Sequence, residues 1–192
     1  MKQRWRYAVA IVLGVAGGSS ATWWQISNGF NRGSITNGAW RTSLDYGTGA
    51  SDAATRATVA LRGILALPST ETVYWNAAVD DQGRPLDGSC TYRISGGAID
   101  SRWWSITLYD AAGYLIATPA NISSFSGSSI AAADAAAWQL AIAPDRPAVR
   151  YWLPAPRDKQ FELTLRMYNP GSAFRAAPAR AAMPSIRRGQ CA

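Results

Sequence analysis

The 192-residue sequence contains no histidine, and this absence removes a large group of functions. Histidine is the usual general base at neutral pH, the centre of Ser-His-Asp sites and the most common metal ligand. A serine-hydrolase role is therefore not expected for Ser105, which also lacks the flanking glycines of a nucleophile elbow. The two cysteines, Cys90 and Cys191, have no CxxC spacing, so no zinc site is predicted. We assign no catalytic residue, cofactor or metal.

Charged residues are also scarce, at 16%, against 48% hydrophobic residues, which is typical of a globular chain. Without its two ends, the chain has 12 basic and 12 acidic residues, so the body is neutral. A nucleic-acid-binding protein concentrates basic charge on its folded domain, so no nucleic-acid partner is predicted. The basic excess behind the net charge of +7 lies at the ends, in Lys2, Arg4, Arg6, Arg175, Arg180, Arg187 and Arg188.

The N-terminus combines a basic tail, residues 1–6, with a stretch at 7–26 that contains no Asp, Glu, Lys or Arg. Twenty helical residues span about 30 Å, the thickness of a bilayer core. The stretch is therefore interpreted as a transmembrane signal-anchor, and the positive flank keeps the tail in the cytoplasm and exports the domain. The alternative is a cleaved signal peptide, with small residues at 19–21 as the cleavage site.

Residues 27–50 are rich in Gly, Asn, Ser and Thr, which predicts a linker before a domain at 51–192. Ser51 or Asp52 is the expected N-cap of one helix, which ends near Leu67 because Pro68 cannot continue it. The apolar side of this helix is expected to pack on the sheet.

From residue 71 onward the hydrophobic period is two, which indicates β-strands separated by short turns. We predict a mainly β fold, an antiparallel β-sandwich of jelly-roll type with one packed helix. RWWSITLYD at 102–110 is the predicted central strand, packed on both sides. The predicted strands are 73–79, 90–95, 103–110, 114–118, 138–142, 149–153 and 161–168.

Three stretches of the sequence resemble the bacterial family called domain of unknown function 1214 (DUF1214). They are YWNAAVDDQGRPLDGSCTYRI at 74–94, RWWSITLYDAAGYL at 102–115 and YWLPAPRDKQFELTLRMYNP at 151–170. The resemblance extends over 64–170 and to 183–186. It implies a compact β-sandwich related to jelly rolls, often behind a membrane anchor in Gram-negative bacteria. It implies no activity and no catalytic residues.

The aspartates near residue 80 and the tryptophans can each be interpreted in two ways, as a ligand site or as structural residues. Asp80, Asp81 and Asp87 could form a calcium loop, but Asp is common in hairpin turns, and we interpret them as turn residues. The tryptophans could stack on sugars, but we expect them to fill the core. That core set is Trp75, Trp103, Trp104, Trp138 and Trp152.

Cys90 and Cys191 are predicted to form a disulfide, because an even pair of cysteines usually joins in an oxidising compartment. This bond would tie the C-terminal tail to a strand. In the chain-entropy model, closing a loop of about a hundred residues contributes up to about 4.7 kcal/mol.

The resulting hypothesis is a non-enzymatic binding or structural protein of the cell envelope. It is a single-pass protein of the bacterial inner membrane with its domain in the periplasm, or a secreted periplasmic protein if the signal is cleaved. Its expected partners are the membrane, through the N-terminal helix, and a glycan or protein of the envelope. The alternative is a carbohydrate-active enzyme or sugar-binding module that uses a carboxylate pair or a Trp platform. Glu71, Glu162 and the ten aspartates are the candidates for such a pair.

Overall fold

The structure is a computed structural model that describes residues 2–27, 34–61, 65–118 and 121–191. These residues form three α-helices and ten β-strands. The helices are α1 (Lys2–Ser27), α2 (Ala53–Leu61) and α3 (Ser172–Ala176). The strands are β1 (Ile35–Asn37), β2 (Trp40–Thr42), β3 (Thr72–Ala77), β4 (Cys90–Gly96), β5 (Ser101–Asp110), β6 (Ser124–Ser126), β7 (Trp138–Ala143), β8 (Trp152–Pro154), β9 (Phe161–Pro170) and β10 (Ser185–Cys191).

Six strands form the larger sheet, in the order β1-β2-β3-β9-β5-β6, with antiparallel pairs throughout. The long strands β5 and β9 pair along almost their whole length, from Ser101 opposite Pro170 to Asp110 opposite Phe161. The strand predicted to be central is β5, but it lies next to the edge strand β6 and packs on the core with one face only. Trp104 on the inner face is buried, whereas Trp103 on the outer face is 39% exposed.

The smaller sheet has the order β10-β4-β7-β8, and its β7–β8 pair is parallel, which departs from the predicted antiparallel arrangement. Its edge strand β10 lies in the segment interpreted as a tail. Arg187 and Arg188 are in this strand and Arg175 is in α3, so basic residues counted as tail lie on folded elements. The inference of a neutral domain body is therefore wrong. The absence of a nucleic-acid partner stays a prediction.

One hydrophobic core contains side chains from both sheets. Trp104 of the larger sheet stacks on Trp138 of the smaller one, with ring centroids 5.0 Å apart, and Tyr92 meets Phe161 edge to face. The mainly β prediction is confirmed. The contacts across the core agree with a sandwich of two sheets, and the jelly-roll connectivity stays a prediction.

The segment predicted as a linker, 27–50, contributes two strands to the larger sheet. β1 pairs with β2, and Arg41 of β2 pairs with Asn76 of β3. Trp40 is fully buried, and its indole Nε1 donates a hydrogen bond of 2.7 Å to the Pro184 carbonyl. Residues 35–42 are thus part of the sheet, because a large aromatic side chain among the small polar residues finds a site in the core.

Helix α2 begins where predicted, because the Asp52 carboxylate accepts a hydrogen bond of 2.7 Å from the Thr55 amide. It is shorter than predicted: its last described residue is Leu61, residues 62–64 lie outside the described residues, and 65–68 are not helical. Leu61 and Leu65 are exposed, so the expected packing of the apolar side on the sheet is not seen for them. The predicted strand 114–118 is reduced to a single bridge between Tyr109 and Leu115.

Helix α1 covers the predicted transmembrane segment. Among the described residues, no helix combines the length and apolar character that a membrane crossing requires, so the predicted span at 7–26 is not supported.

Candidate functional site

The aspartates of the 80–87 turn are engaged in the fold. Asp80 is 1% exposed, and its carboxylate accepts hydrogen bonds from the Gln82 amide and from the Arg84 amide and Nε. Burial alone would raise the pKa of Asp80, but these hydrogen bonds and the Arg84 charge hold it below its ordinary value. Asp81 accepts a hydrogen bond from the Ile186 amide, and Asp87 accepts one from the Ser89 amide. The turn interpretation accounts for all three carboxylates.

Most of the tryptophans singled out in the sequence fill the core. Trp75 and Trp138 are fully buried, and Trp104 is nearly so. Trp103 lies on the outer face of the larger sheet, where its indole donates to Ser128, and Trp152 is half-buried. The core interpretation thus holds for three of the five.

A groove of about 570 Å³ lies on the outer face of the larger sheet. Its floor follows from strand alternation: inner residues of β3, β5 and β9 enter the core, so the residues between them face outward. The strand register places Tyr74 opposite Arg166, and Asn76 opposite Thr164. The floor residues are Tyr74, Asn76, Tyr109, Glu162, Thr164, Arg166 and Tyr168.

The sides of the groove come from outside the sheet. One side is formed by the end of α2 and the segment after it, with Leu61, Leu65 and Leu67. The other is formed by the turn that follows β5, with Tyr114 and Leu115. The groove therefore has a polar, aromatic floor and apolar sides.

Arg166 is the cation of the floor, and neutral groups hold it in place. Its guanidinium donates to the Thr107 hydroxyl at 3.2 Å and to the Tyr109 hydroxyl at 2.5 Å, and it lies over the rings of Tyr74 and Tyr109. The side chain is half-buried. No carboxylate of the described residues lies within ion-pair distance of it. A partly desolvated charge without a counter-ion attracts an anion from solution.

Tyr74 connects the floor to one side of the groove. It is buried, and its hydroxyl donates a hydrogen bond of 2.6 Å to the Leu65 carbonyl. Burial and the nearby Tyr168 raise the pKa of Tyr74, and the positive charge of Arg166 offsets part of this effect. Tyr74 therefore stays a neutral hydrogen-bond donor, which holds the segment at Leu65 over the floor.

Asn76, a residue of the floor, has a buried amide nitrogen, Nδ2, that hydrogen-bonds to no described residue. The Oδ1 of the same side chain accepts a hydrogen bond of 2.8 Å from the Thr164 hydroxyl. Buried polar atoms are rarely left unpaired, and those that are often lie at functional sites. This unpaired donor on a floor residue supports, beside Arg166, a polar ligand at the floor.

The chemistry available in the groove is binding. Glu162 is the single carboxylate among the described residues that line it, so the acid pair required by a glycoside hydrolase is not assembled there. Within the described residues, no group of three or more His, Cys, Asp or Glu could hold a metal ion. A cation, phenol hydroxyls and aromatic faces can instead bind an oxyanion and pack against a ligand.

Sequence reasoning found part of this site. The outward alternation of Glu162, Thr164, Arg166 and Tyr168 was evident, but the groove was not. Whether a described carboxylate pairs with Arg166 depends on which strands lie beside β9, and the pattern of one strand contains no signal for its neighbours.

Two sheets around one core, with an arginine and tyrosine groove on one outer face, define a mainly β domain with a candidate binding site. Residues 71–172, just over half of the chain, match the family model described as "Protein of unknown function (DUF1214)", and the chain belongs to this family. The predicted family membership is thereby confirmed.

The solved structures to which the chain is similar include the following two. The VPA0106 protein from Vibrio parahaemolyticus matches 74% of this chain at 24% identity with a TM-score of 0.59, which indicates a shared fold. A putative uncharacterized protein from Burkholderia cenocepacia matches 92% of it at 16% identity with a TM-score of 0.47. The matches cover 36% and 42% of those two chains, so this chain spans less than half the length of either. No curated protein matches it.

Proposed function

We propose that this protein is a non-enzymatic binding protein of the bacterial cell envelope, and that its ligand occupies the groove over Arg166. The observation that carries the proposal is the half-buried guanidinium that the described carboxylates leave without an ion pair. The complementary ligand carries a carboxylate or a phosphate, because both accept paired hydrogen bonds from arginine. The aromatic rings of Tyr74 and Tyr109 beside the guanidinium supply packing area.

Two observations support export of the domain. A disulfide joins Cys90 and Cys191, and such bonds persist mainly outside the cytoplasm. Helix α1 has basic residues at its start and then a run of exposed apolar side chains, among them Ile11, Val12 and Leu13. Exposed apolar side chains left in water are unfavourable, so we propose that α1 associates with the inner membrane and holds the domain on its periplasmic side.

The N-terminus of the mature protein tests this arrangement. We expect protein isolated from the membrane fraction to begin near Met1, because α1 stays attached. N-terminal sequencing of that fraction is the measurement, with an exported protein of known signal cleavage as the control. A mature N-terminus at Thr22 would show a cleaved signal peptide, and an uncleaved chain recovered from the cytoplasm would contradict export altogether.

A sugar-binding module is the second candidate function, and the groove floor is the observation in its favour. Tyrosine faces, amide groups and one carboxylate, as found at Tyr109, Asn76 and Glu162, suit sugar hydroxyls. Hydrolysis is a weaker proposal, because the described residues lining the groove supply one carboxylate and not two.

A panel of small ligands tests the groove itself. We expect acetate, phosphate or glucuronate to bind the full chain and raise its unfolding temperature, while neutral glucose does so less. Arg166→Gln should weaken the binding of the active anion by about 10- to 100-fold, since a hydrogen bond to a charged group is lost. Calorimetric titration measures the affinity, and circular dichroism shows that the variant is folded.

The matched control is Arg93→Gln, which removes an exposed strand arginine from the other sheet. It should leave the affinity unchanged. Equal binding by wild type and Arg166→Gln, or equal losses in both variants, would place the ligand elsewhere or reduce the effect to overall charge.

A further inference from the structure

The sides of the groove expose more apolar surface than a polar ligand can use. Leu61 is 67% exposed, Leu65 81%, Tyr114 73% and Leu115 56%. Single exposed apolar residues are ordinary on protein surfaces, but these four line one groove. A ligand that covers them must have an apolar part.

One side of the groove belongs to a helix that contacts α1. α2, whose last described residue Leu61 forms one side of the groove, is in contact with α1. If α1 lies at a membrane, α2 and the side of the groove that it forms lie close to that membrane. The lipids of a bilayer carry alkyl chains. The position of the groove and its apolar sides therefore both favour a ligand with an alkyl chain.

We propose that the groove binds an anionic amphiphile, a long-chain carboxylate or phosphate. Its head group binds Arg166 on the floor, and its alkyl chain lies along Leu61, Leu65, Tyr114 and Leu115. This assignment rests on the proposed binding function and narrows it to one ligand class. Tyr74 supports both halves of the site, because its ring lies beside the guanidinium and its hydroxyl holds the segment at Leu65.

An acidic sugar fits the floor but not the sides. Its hydroxyls would face leucine side chains that offer no hydrogen-bond partner, and their desolvation would oppose binding. An alkyl chain gains instead, by about fourfold in affinity for each methylene removed from water. The apolar sides therefore favour the amphiphile over the glycan.

A photoreactive fatty acid tests the proposal on the full chain. The protein is held in nanodiscs of phosphatidylcholine, and palmitic acid with a diazirine on its chain is the probe. We expect crosslinks to peptides that contain Leu61, Leu65 or Tyr114. The alkyl phosphate of the same length identifies the preferred head group, and the corresponding alcohol, which has no charge, should label the site at least about tenfold more weakly.

Two variants separate the head-group and chain contacts. Arg166→Gln should raise the half-saturating concentration of the acid by about 10- to 100-fold. The double variant Leu61→Asn, Leu65→Asn should raise it by about tenfold and leave the affinity for acetate or phosphate unchanged. Both leucines are exposed, so the double variant is expected to fold.

Each other outcome overturns a defined part of the proposal. If glucuronate competes as well as palmitate and the leucine variant has no effect, the ligand is an acidic sugar and the groove remains a binding site. If the alcohol labels the same peptides equally and Arg166→Gln has no effect, the head-group site is wrong, and the proposed function is wrong with it. Crosslinks confined to α1 would reveal membrane contact only and contradict the amphiphile site.

Discussion

Cys191→Ser is expected to lower the free energy of unfolding by about 2–5 kcal/mol. The disulfide between Cys90 and Cys191 closes a sequence separation of 101 residues, for which the chain-entropy model gives about 4.7 kcal/mol. Cys191 is exposed, so the serine variant loses little packing. The bond ties β10, an edge strand, to β4, and Ile186 is the fully buried side chain that β10 adds to the core.

Urea unfolding with and without reductant measures this effect. Reductant should destabilise the wild type by about the same 2–5 kcal/mol and leave Cys191→Ser unchanged. Cys90→Ser is the less clean variant, since Cys90 is buried in the core and its replacement adds a packing cost. Two free thiols in the alkylated, unreduced protein from the membrane fraction would contradict the bond. Equal stability of the reduced and oxidised protein would contradict its energetic role.

The loss of this bond should also affect the aspartate turn. The Asp81 amide donates to the Ile186 carbonyl, the Ile186 amide donates to the Asp81 carboxylate, and Arg188 lies 3.4 Å from Asp80. If β10 detaches, the Ile186 bonds and the Arg188 contact are lost together. Asp80 would keep Arg84 as its partner. The tail and the turn are thus one structural unit, although 105 residues separate Asp81 from Ile186.

The alternation along single strands explains what the sequence could predict. β9 alternates apolar and polar residue types from Phe161 to Tyr168, and β5 alternates apolar and hydroxyl-bearing ones from Trp104 to Tyr109. Both strands were therefore evident before their neighbours were known. Asp52 was identifiable as an N-cap because capping is a local interaction. The chain has two cysteines, so they can form one intramolecular disulfide, and predicting that bond required no spatial information.

The elements that sequence reasoning missed depend on distant partners. β1 and β2 have three residues each, and Trp40 becomes a core residue because Pro184 accepts its indole hydrogen bond. β10 has one fully buried side chain, Ile186, and most of its other residues are polar or basic. It forms a strand because it pairs with β4. Short edge strands have little hydrophobic periodicity, and their register is set by the neighbouring strand.

The groove was invisible for the same reason. The outward position of Arg166 follows from the sequence, but the register is what leaves it without an ion pair to any carboxylate of the described residues. β9 places it between Tyr74 of β3 and Ser105 of β5, and neither residue is acidic. A shift of two residues in either pairing would give this arginine different neighbours. The ligand site is therefore a property of the sheet as a whole.

Trp138→Ala is expected to lower the free energy of unfolding by about 3–5 kcal/mol, because it leaves a cavity between the two sheets. Trp138 stacks on Trp104 and packs against Phe125, with ring centroids 5.0 and 5.6 Å apart. Its indole also donates a hydrogen bond of 2.8 Å to the Gly97 carbonyl. Gly96 makes room for the ring, since a Cβ there would lie 2.4 Å from the tryptophan.

Trp103→Ala is the matched control, since it removes the same type of side chain from the outer face of the larger sheet. Trp103 is 39% exposed and meets Tyr168 edge to face, so its loss should cost about 1 kcal/mol or less. Urea unfolding measures the loss of stability of both variants, from the shift of the transition midpoint at an unchanged m-value. Trp138→Phe should lie between them, because it keeps part of the ring packing and loses the bond to Gly97. Equal costs at 103 and 138 would mean that the two sheets do not share the core through this stack.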